Sequence, residues 1–234
     1  YRGFSALDIW GGCPGRYMKS NRISPRLIEE ALGGLPPKNG PIPANERKEY
    51  NELVQEISSD LPLPELPPAI APAFTPPQKG EHGVLILGAA GQRVVTAGEL
   101  LCLAGMTAGL QASLKNDIPI TVLTGHSVSE VILSPQAIDF TGLSEPSVIL
   151  VLAEEGVARR RATFASLSES CLVLRASPAL ELPETGAEII DLNLKDLGLK
   201  RADWALGSLA ALAGRELILT RQMLEQAMAV RLPA

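Results

Sequence analysis

The stretch Val84–Leu101, VLILGAAGQRVVTAGELL, carries the residues whose types and spacing could do chemistry. An apolar run ends at Gly88, turns through Ala89, Ala90 and Gly91, and opens with Gln92 and Arg93 into a helical pattern. Amides at a helix start can grip a phosphate, and glycines let the backbone approach it. A dinucleotide fingerprint needs G-x-G-x-x-G, with an acidic residue about twenty positions on. Here Ala90 takes the second glycine position and Arg93 the third, and Glu99 and Asp117 do not end a second strand in the expected way. A nucleotide-binding P-loop needs Lys followed by Ser or Thr, and neither is present. Two readings of Gly88, Gly91, Gln92 and Arg93 therefore stand. In one, helix-start amides and the Gln92 side chain meet a phosphate or a partner loop. In the other, which is favoured, the glycines make a tight strand-to-helix turn.

The remaining reactive side chains are scattered. Cys13, Cys102 and Cys171 show no C-x-x-C or ferredoxin spacing, so no metal-binding residues are assigned. Cys102 and Cys171 sit in apolar runs and read as small core residues; Cys13 reads as a packed turn residue, with a subunit-boundary role as the alternative. His126 reads as a hydrogen-bonded loop histidine rather than a ligand-binding one, and Ser127 and Ser129 make no recognisable triad with it. No catalytic residue is assigned. The net charge is −5 and the pI about 5.2. The cluster Arg159-Arg160-Arg161 reads as a solvated helix face, so nucleic acid is not expected as a partner. No apolar run is long enough to span a bilayer and no signal peptide is recognisable, so no membrane contact is expected and the cytoplasm is the expected compartment.

The elements that must position the turn divide the 234 residues into three stretches. Residues 1–60 hold a strand at Phe4–Trp10, the breakers GGCPG, a short helix SPRLIEEAL and a polar helix from Asn45 to Ile57. Ser24 caps the short helix, Pro25 opens it and Gly33-Gly34 stops it. The polar helix carries Tyr50, Leu53, Val54 and Ile57 on one stripe, which needs a partner surface. Residues 61–80 are a proline-rich, semi-rigid linker. Residues 81–234 form the main α/β domain, a mostly parallel sheet with helices on both faces. Its expected strands are GVLILG, ITVLTG, SVSEVILS, SVILVLAEE, CLVLRAS and EIIDLNL. ITVLTG and SVSEVILS leave no room for a helix between them, which predicts one antiparallel pair. The chain starts at Tyr1 in what reads as mid-strand, which suggests a piece of something larger or a trimmed product.

Several motifs in order resemble the gamma subunit or domain of the 2-oxoacid:acceptor (ferredoxin) oxidoreductases. They are Gly88-x-x-Gly91-Gln92 with its Ala-, Gly- and Leu-rich helix, then VSEVILSPQAID, SVILVLAEE, RADWALGSLAAL and LEQAM. The resemblance covers about residues 82–230. GFSALDIWGGCPGRY is similar to the end of the thiamine-diphosphate-binding beta subunit, which makes 1–60 a beta-subunit-like tail. The chain departs from the family pattern at Ala89-Ala90 and Arg93, at Thr124-Gly125-His126, and at Asp203, where relatives carry Asn.

The resemblance implies a complex that oxidatively decarboxylates a 2-oxoacid to an acyl-CoA and passes electrons to ferredoxin or NAD. Its cofactors are thiamine diphosphate, Mg2+, iron–sulfur clusters and coenzyme A. Its other components are alpha and beta thiamine-binding subunits and an iron–sulfur subunit. No G-D-G thiamine motif and no cysteine cluster occur here, so this chain by itself is expected to bind none of these cofactors and to be non-catalytic. The implied role is to brace the thiamine-binding subunits and to face coenzyme A, with Gly88, Gly91, Gln92 and Arg93 as the CoA or interface turn. A standalone nucleotide-binding domain and a purely structural interaction module are the alternatives.

Overall fold

A computed structural model describes residues 24–34, 52, 55–56, 69–119 and 124–231. The chain divides into two compact units, Tyr1–Pro67 and Pro68–Ala234. In the first, helix α1 spans Pro25–Gly33. Its start is built as the sequence predicts, with Ser24 Oγ accepting from Leu27 N at 3.3 Å and proline in the first turn. Of the expected helix Asn45–Ile57, the described residues Glu52, Gln55 and Glu56 are helical and exposed. The expected strand Phe4–Trp10, the turn with Cys13 and the stripe Tyr50, Leu53, Val54 and Ile57 lie outside the described residues.

The second unit is an α/β sandwich. Its strands are β1 (His82–Ala89), β2 (Gln111–Asp117), β3 (His126–Ser134), β4 (Val148–Val151), β5 (Leu172–Arg175) and β6 (Glu188–Asp191). Its helices are α2 (Val94–Thr107), α3 (Glu154–Arg159), α4 (Arg161–Phe164), α5 (Trp204–Ala213) and α6 (Arg221–Arg231). The sheet order is β2-β3-β1-β4-β5-β6. β1, β4, β5 and β6 run parallel, and β3 pairs antiparallel with both β1 and β2. β1, β4 and β5 are nearly continuous apolar runs because helices cover both of their faces.

The register shows which helix covers which face, since directly paired residues share a side. Ile86, Ser129 and Asn116 line one face, and α2 lies on it: a Cβ on Gly98 would come within 3.1 Å of Ser129 Cβ. Leu85, Glu130 and Lys115 line the other face, where Arg160 reaches Glu130 from the α3–α4 junction. The stretch before β1 also joins this unit. Ala73 N and Phe74 N both donate to Thr107 O at the end of α2, at 2.7 and 3.1 Å.

Two sequence expectations need correction. β2 occupies Gln111–Asp117, where the sequence reading had no strand. It is a half-exposed edge strand, so little apolar alternation marks it. The expected strand Ile120–Gly125 falls mainly outside the described residues; Thr124 and Gly125 are not in a strand. The arginine cluster is not one solvated helix face either. The helix breaks at Arg160, and Arg159 and Arg160 turn to acidic residues on β2 and β3. Partners 30 and 42 residues away in sequence left no local signal.

Candidate functional site

The turn between β1 and α2 is built from all four residues that its glycine pattern singled out. Gly91 has φ +87, the left-handed region that glycine enters without a Cβ penalty. Gly88 is needed for space, because a Cβ there would lie 2.6 Å from Val94 Cγ2 and 3.0 Å from Gln92 Oε1. Gln92 is buried. Its Oε1 accepts from Ala89 N at 2.8 Å and its Nε2 donates to Leu152 O at 3.2 Å. One amide thus braces the turn against itself and against the chain leaving β4. The Gln92 side chain is spent inside the fold, so the turn offers a ligand or partner its backbone and Arg93.

Arg93 holds a left-handed backbone, φ 57, at the cap of α2, which has no side-chain cap hydrogen bond. Its guanidinium pairs with Asp203 at 3.2 Å, just before α5. Both are positions where the sequence departs from the family pattern, and the fold joins them. Ala90 N donates to Gly125 O at 2.9 Å, which also brings the Thr124-Gly125-His126 departure beside the turn.

Gln92→Ala is expected to cost about 2–3 kcal/mol, because it strands a backbone donor and a backbone acceptor that little water can reach. Gln92→Glu keeps the acceptor and loses the donor, so it falls between wild type and alanine. Urea unfolding of the three proteins checks this order. A midpoint for Gln92→Ala equal to wild type would remove the brace from the account.

Histidine and serine do not meet. Successive residues of β3 point to opposite faces, so His126 lies across the sheet from Ser127 and Ser129. Ser129 Oγ donates to Asn116 Oδ1 at 2.6 Å. His126 Nε2 lies 3.2 Å from Asp117 Oδ1, a hydrogen-bonded histidine at a strand start. Cys102 on α2 and Cys171 before β5 are separate, and burial pushes their thiols up to about 12 and about 11. Among the described residues no group of three or more His, Cys, Asp or Glu could hold a metal ion. Nor, among them, is any helix long and apolar enough to cross a membrane.

Sequence reasoning missed the charge network on the face opposite α2. Asp117 takes Arg159 Nε at 2.8 Å and Arg160 at 3.1 Å. Glu130, buried, takes Arg160 at 2.6 Å and Leu143 N at 2.7 Å. The network pins the α3–α4 junction and the loop before β4 onto β2 and β3. Hydrogen bonds from Arg159 hold the Asp117 carboxyl at about 2, against partial burial and with help from His126. A carboxyl depressed in the folded state stabilises above its unfolded value near ~4 and loses that contribution as pH falls toward its folded value. Stability is therefore expected to fall below about pH 4, and Asp117→Asn to flatten that acid limb. Urea midpoints across pH 2.5–7 check it; an unchanged limb in the variant would place the acid sensitivity elsewhere.

Residues 83–234 match the family described as pyruvate ferredoxin/flavodoxin oxidoreductase. No curated protein matches the chain. Among solved structures, the chain is similar to the gamma subunit of a keto/oxoacid ferredoxin oxidoreductase from Geobacter sulfurreducens. The identity is 25% and the TM-score 0.53, over 66% of this chain and 86% of that one. It also shares its fold with a 2-oxoglutarate:ferredoxin oxidoreductase from Magnetococcus marinus, solved with 2-oxoglutarate, coenzyme A and succinyl-CoA. There the identity is 14% and the TM-score 0.55, over 65% of this chain and 27% of that one. The family match takes in β1, the braced turn and every later element of the sheet, so the chain belongs to the pyruvate ferredoxin/flavodoxin oxidoreductase family.

Proposed function

We propose that this chain is the gamma-type component of a cytoplasmic 2-oxoacid:acceptor oxidoreductase, the complex that converts a 2-oxoacid to an acyl-CoA and passes electrons to ferredoxin or NAD. The observation that carries this reading is the family match over residues 83–234, joined to the likeness with a gamma subunit. Thiamine diphosphate with Mg2+ supplies the carbanion chemistry and iron–sulfur clusters the electron transfer, both on alpha, beta and iron–sulfur partners. This chain alone is non-catalytic. Residues 1–60 act as a beta-subunit-like tail joined by the proline-rich linker.

Within the complex the unit braces the thiamine-binding subunits, and the turn Gly88–Arg93 faces coenzyme A or a partner loop. What supports the CoA side is the uncapped start of α2 with the half-exposed Arg93 guanidinium beside it. What supports a purely structural turn is the inward Gln92.

Native pull-down of the full chain, with mass spectrometry and assay of the eluate for thiamine diphosphate and iron, tests the reading. Large subunits carrying both cofactors are expected. A chain that emerges alone and binds no coenzyme A or NAD on titration would overturn it. Saturable NAD(P) binding by the lone chain would instead favour a standalone nucleotide-binding domain.

A further inference from the structure

A second surface lies away from the turn, between edge strand β2 and the loop 140–144. It is a groove of about 330 Å³ lined by Lys115, Glu130, Phe140 and the loop that follows Phe140. The loop comes close to the charges: a Cβ on Gly142 would sit 3.1 Å from Lys115 Nζ and 3.2 Å from Glu130 Oε2. Both oxygens of Glu130 are already engaged, by Arg160 at 2.6 Å and Leu143 N at 2.7 Å. Lys115 Nζ stands 3.9 Å from the same carboxylate, beyond hydrogen-bond length. Three cations, Lys115, Arg159 and Arg160, thus face two carboxylates, Asp117 and Glu130. The surplus charge is the half-exposed ammonium of Lys115.

An exposed aromatic ring accompanies that cation. The Phe140 side chain is about half exposed, and its carbonyl accepts from Ser113 of β2. Aromatic groups beside charge on an open face are the composition of an interface, where the charge selects the partner and speeds encounter. The groove is open to solvent, whereas sites for small molecules bury most of their ligand. An amine-bearing ligand finds no free carboxylate here.

We propose that this groove docks a partner polypeptide that presents an acidic side chain flanked by apolar ones, the carboxylate meeting Lys115 and an apolar group meeting Phe140. The docking needs neither the turn at Gly88–Arg93 nor any cofactor.

The test uses the full chain carrying Phe140→p-benzoylphenylalanine, irradiated in the cells that make it, with the adduct mapped by mass spectrometry. The expected adduct lies on another polypeptide, within about three residues of an Asp or Glu, the reach of neighbouring side chains. Lys115→Met keeps the aliphatic stem and leaves Glu130 its two nearer partners, so it should fold as wild type and lower adduct yield about tenfold. Lys115→Arg should retain it. The proposal is overturned by an adduct indifferent to Lys115→Met, by one on a second copy of this chain, or by none. A complex that still purifies with thiamine diphosphate and iron while the adduct ignores Lys115 would sink this inference and leave the proposed function standing.

Discussion

Gly156→Ala is expected to lower the melting temperature of the full chain by about 10 °C, the shift that roughly 3 kcal/mol produces in a domain of this size. Gly156 lies in the six-residue helix α3, packed on the end of β1. A Cβ there would stand 2.5 Å from Gly88 N, 2.6 Å from Leu87 C and 2.8 Å from Leu87 Cα. These are backbone atoms of a central strand, so no rotamer change relieves the contact. Overpacking typically costs about 1–3 kcal/mol, and a clash with fixed backbone belongs at or above the upper end. Alanine's better helix propensity returns only about 1 kcal/mol. Ala158→Gly on the exposed side of the same helix is the control, with a cost near ~1 kcal/mol. Melting curves of the three proteins decide it: a Gly156→Ala curve above the Ala158→Gly curve would mean that α3 does not rest on β1 as described. The turn should suffer with it, since Gly88 is both the atom struck and the start of the turn.

The second large effect belongs to Glu130. Glu130→Ala should cost about 3–5 kcal/mol, the range for removing one member of a buried ion pair. The variant strands Leu143 N and leaves Arg160, mostly buried, with Asp117 alone. Glu130→Gln keeps an acceptor of the same shape, so its cost should stay near the ~1–3 kcal/mol of a charge-assisted hydrogen bond. A double-mutant cycle with Arg160→Ala isolates the pair, and a coupling of about 1–3 kcal/mol is expected for groups in contact. Strict additivity would show that the network is a surface decoration. Because Glu130 also holds the loop 140–144, Glu130→Ala should loosen the groove at Phe140, read as faster amide exchange at Leu143.

The sequence by itself determined the elements whose signals are local. Ser24, Pro25 and Gly34 bound α1 because capping acts within one turn. The apolar runs at β1, β4 and β5 are legible because a strand covered on both faces is apolar throughout. The glycine spacing marked the turn, and the order of motifs carried the family resemblance that the match over 83–234 bears out.

Only the tertiary structure decided how those parts are used. It turned Gln92 inward to two backbone groups, one of them 60 residues away, and it paired Arg93 with Asp203 across the chain. It added β2, whose half-exposed residues carry little periodic signal, and it drew Arg160 off a solvated face onto Glu130. In each case a polar side chain took its role from a group distant in sequence. Hydrophobic periodicity repeats along the chain, whereas a buried polar contact exists only once the backbone brings its two ends together.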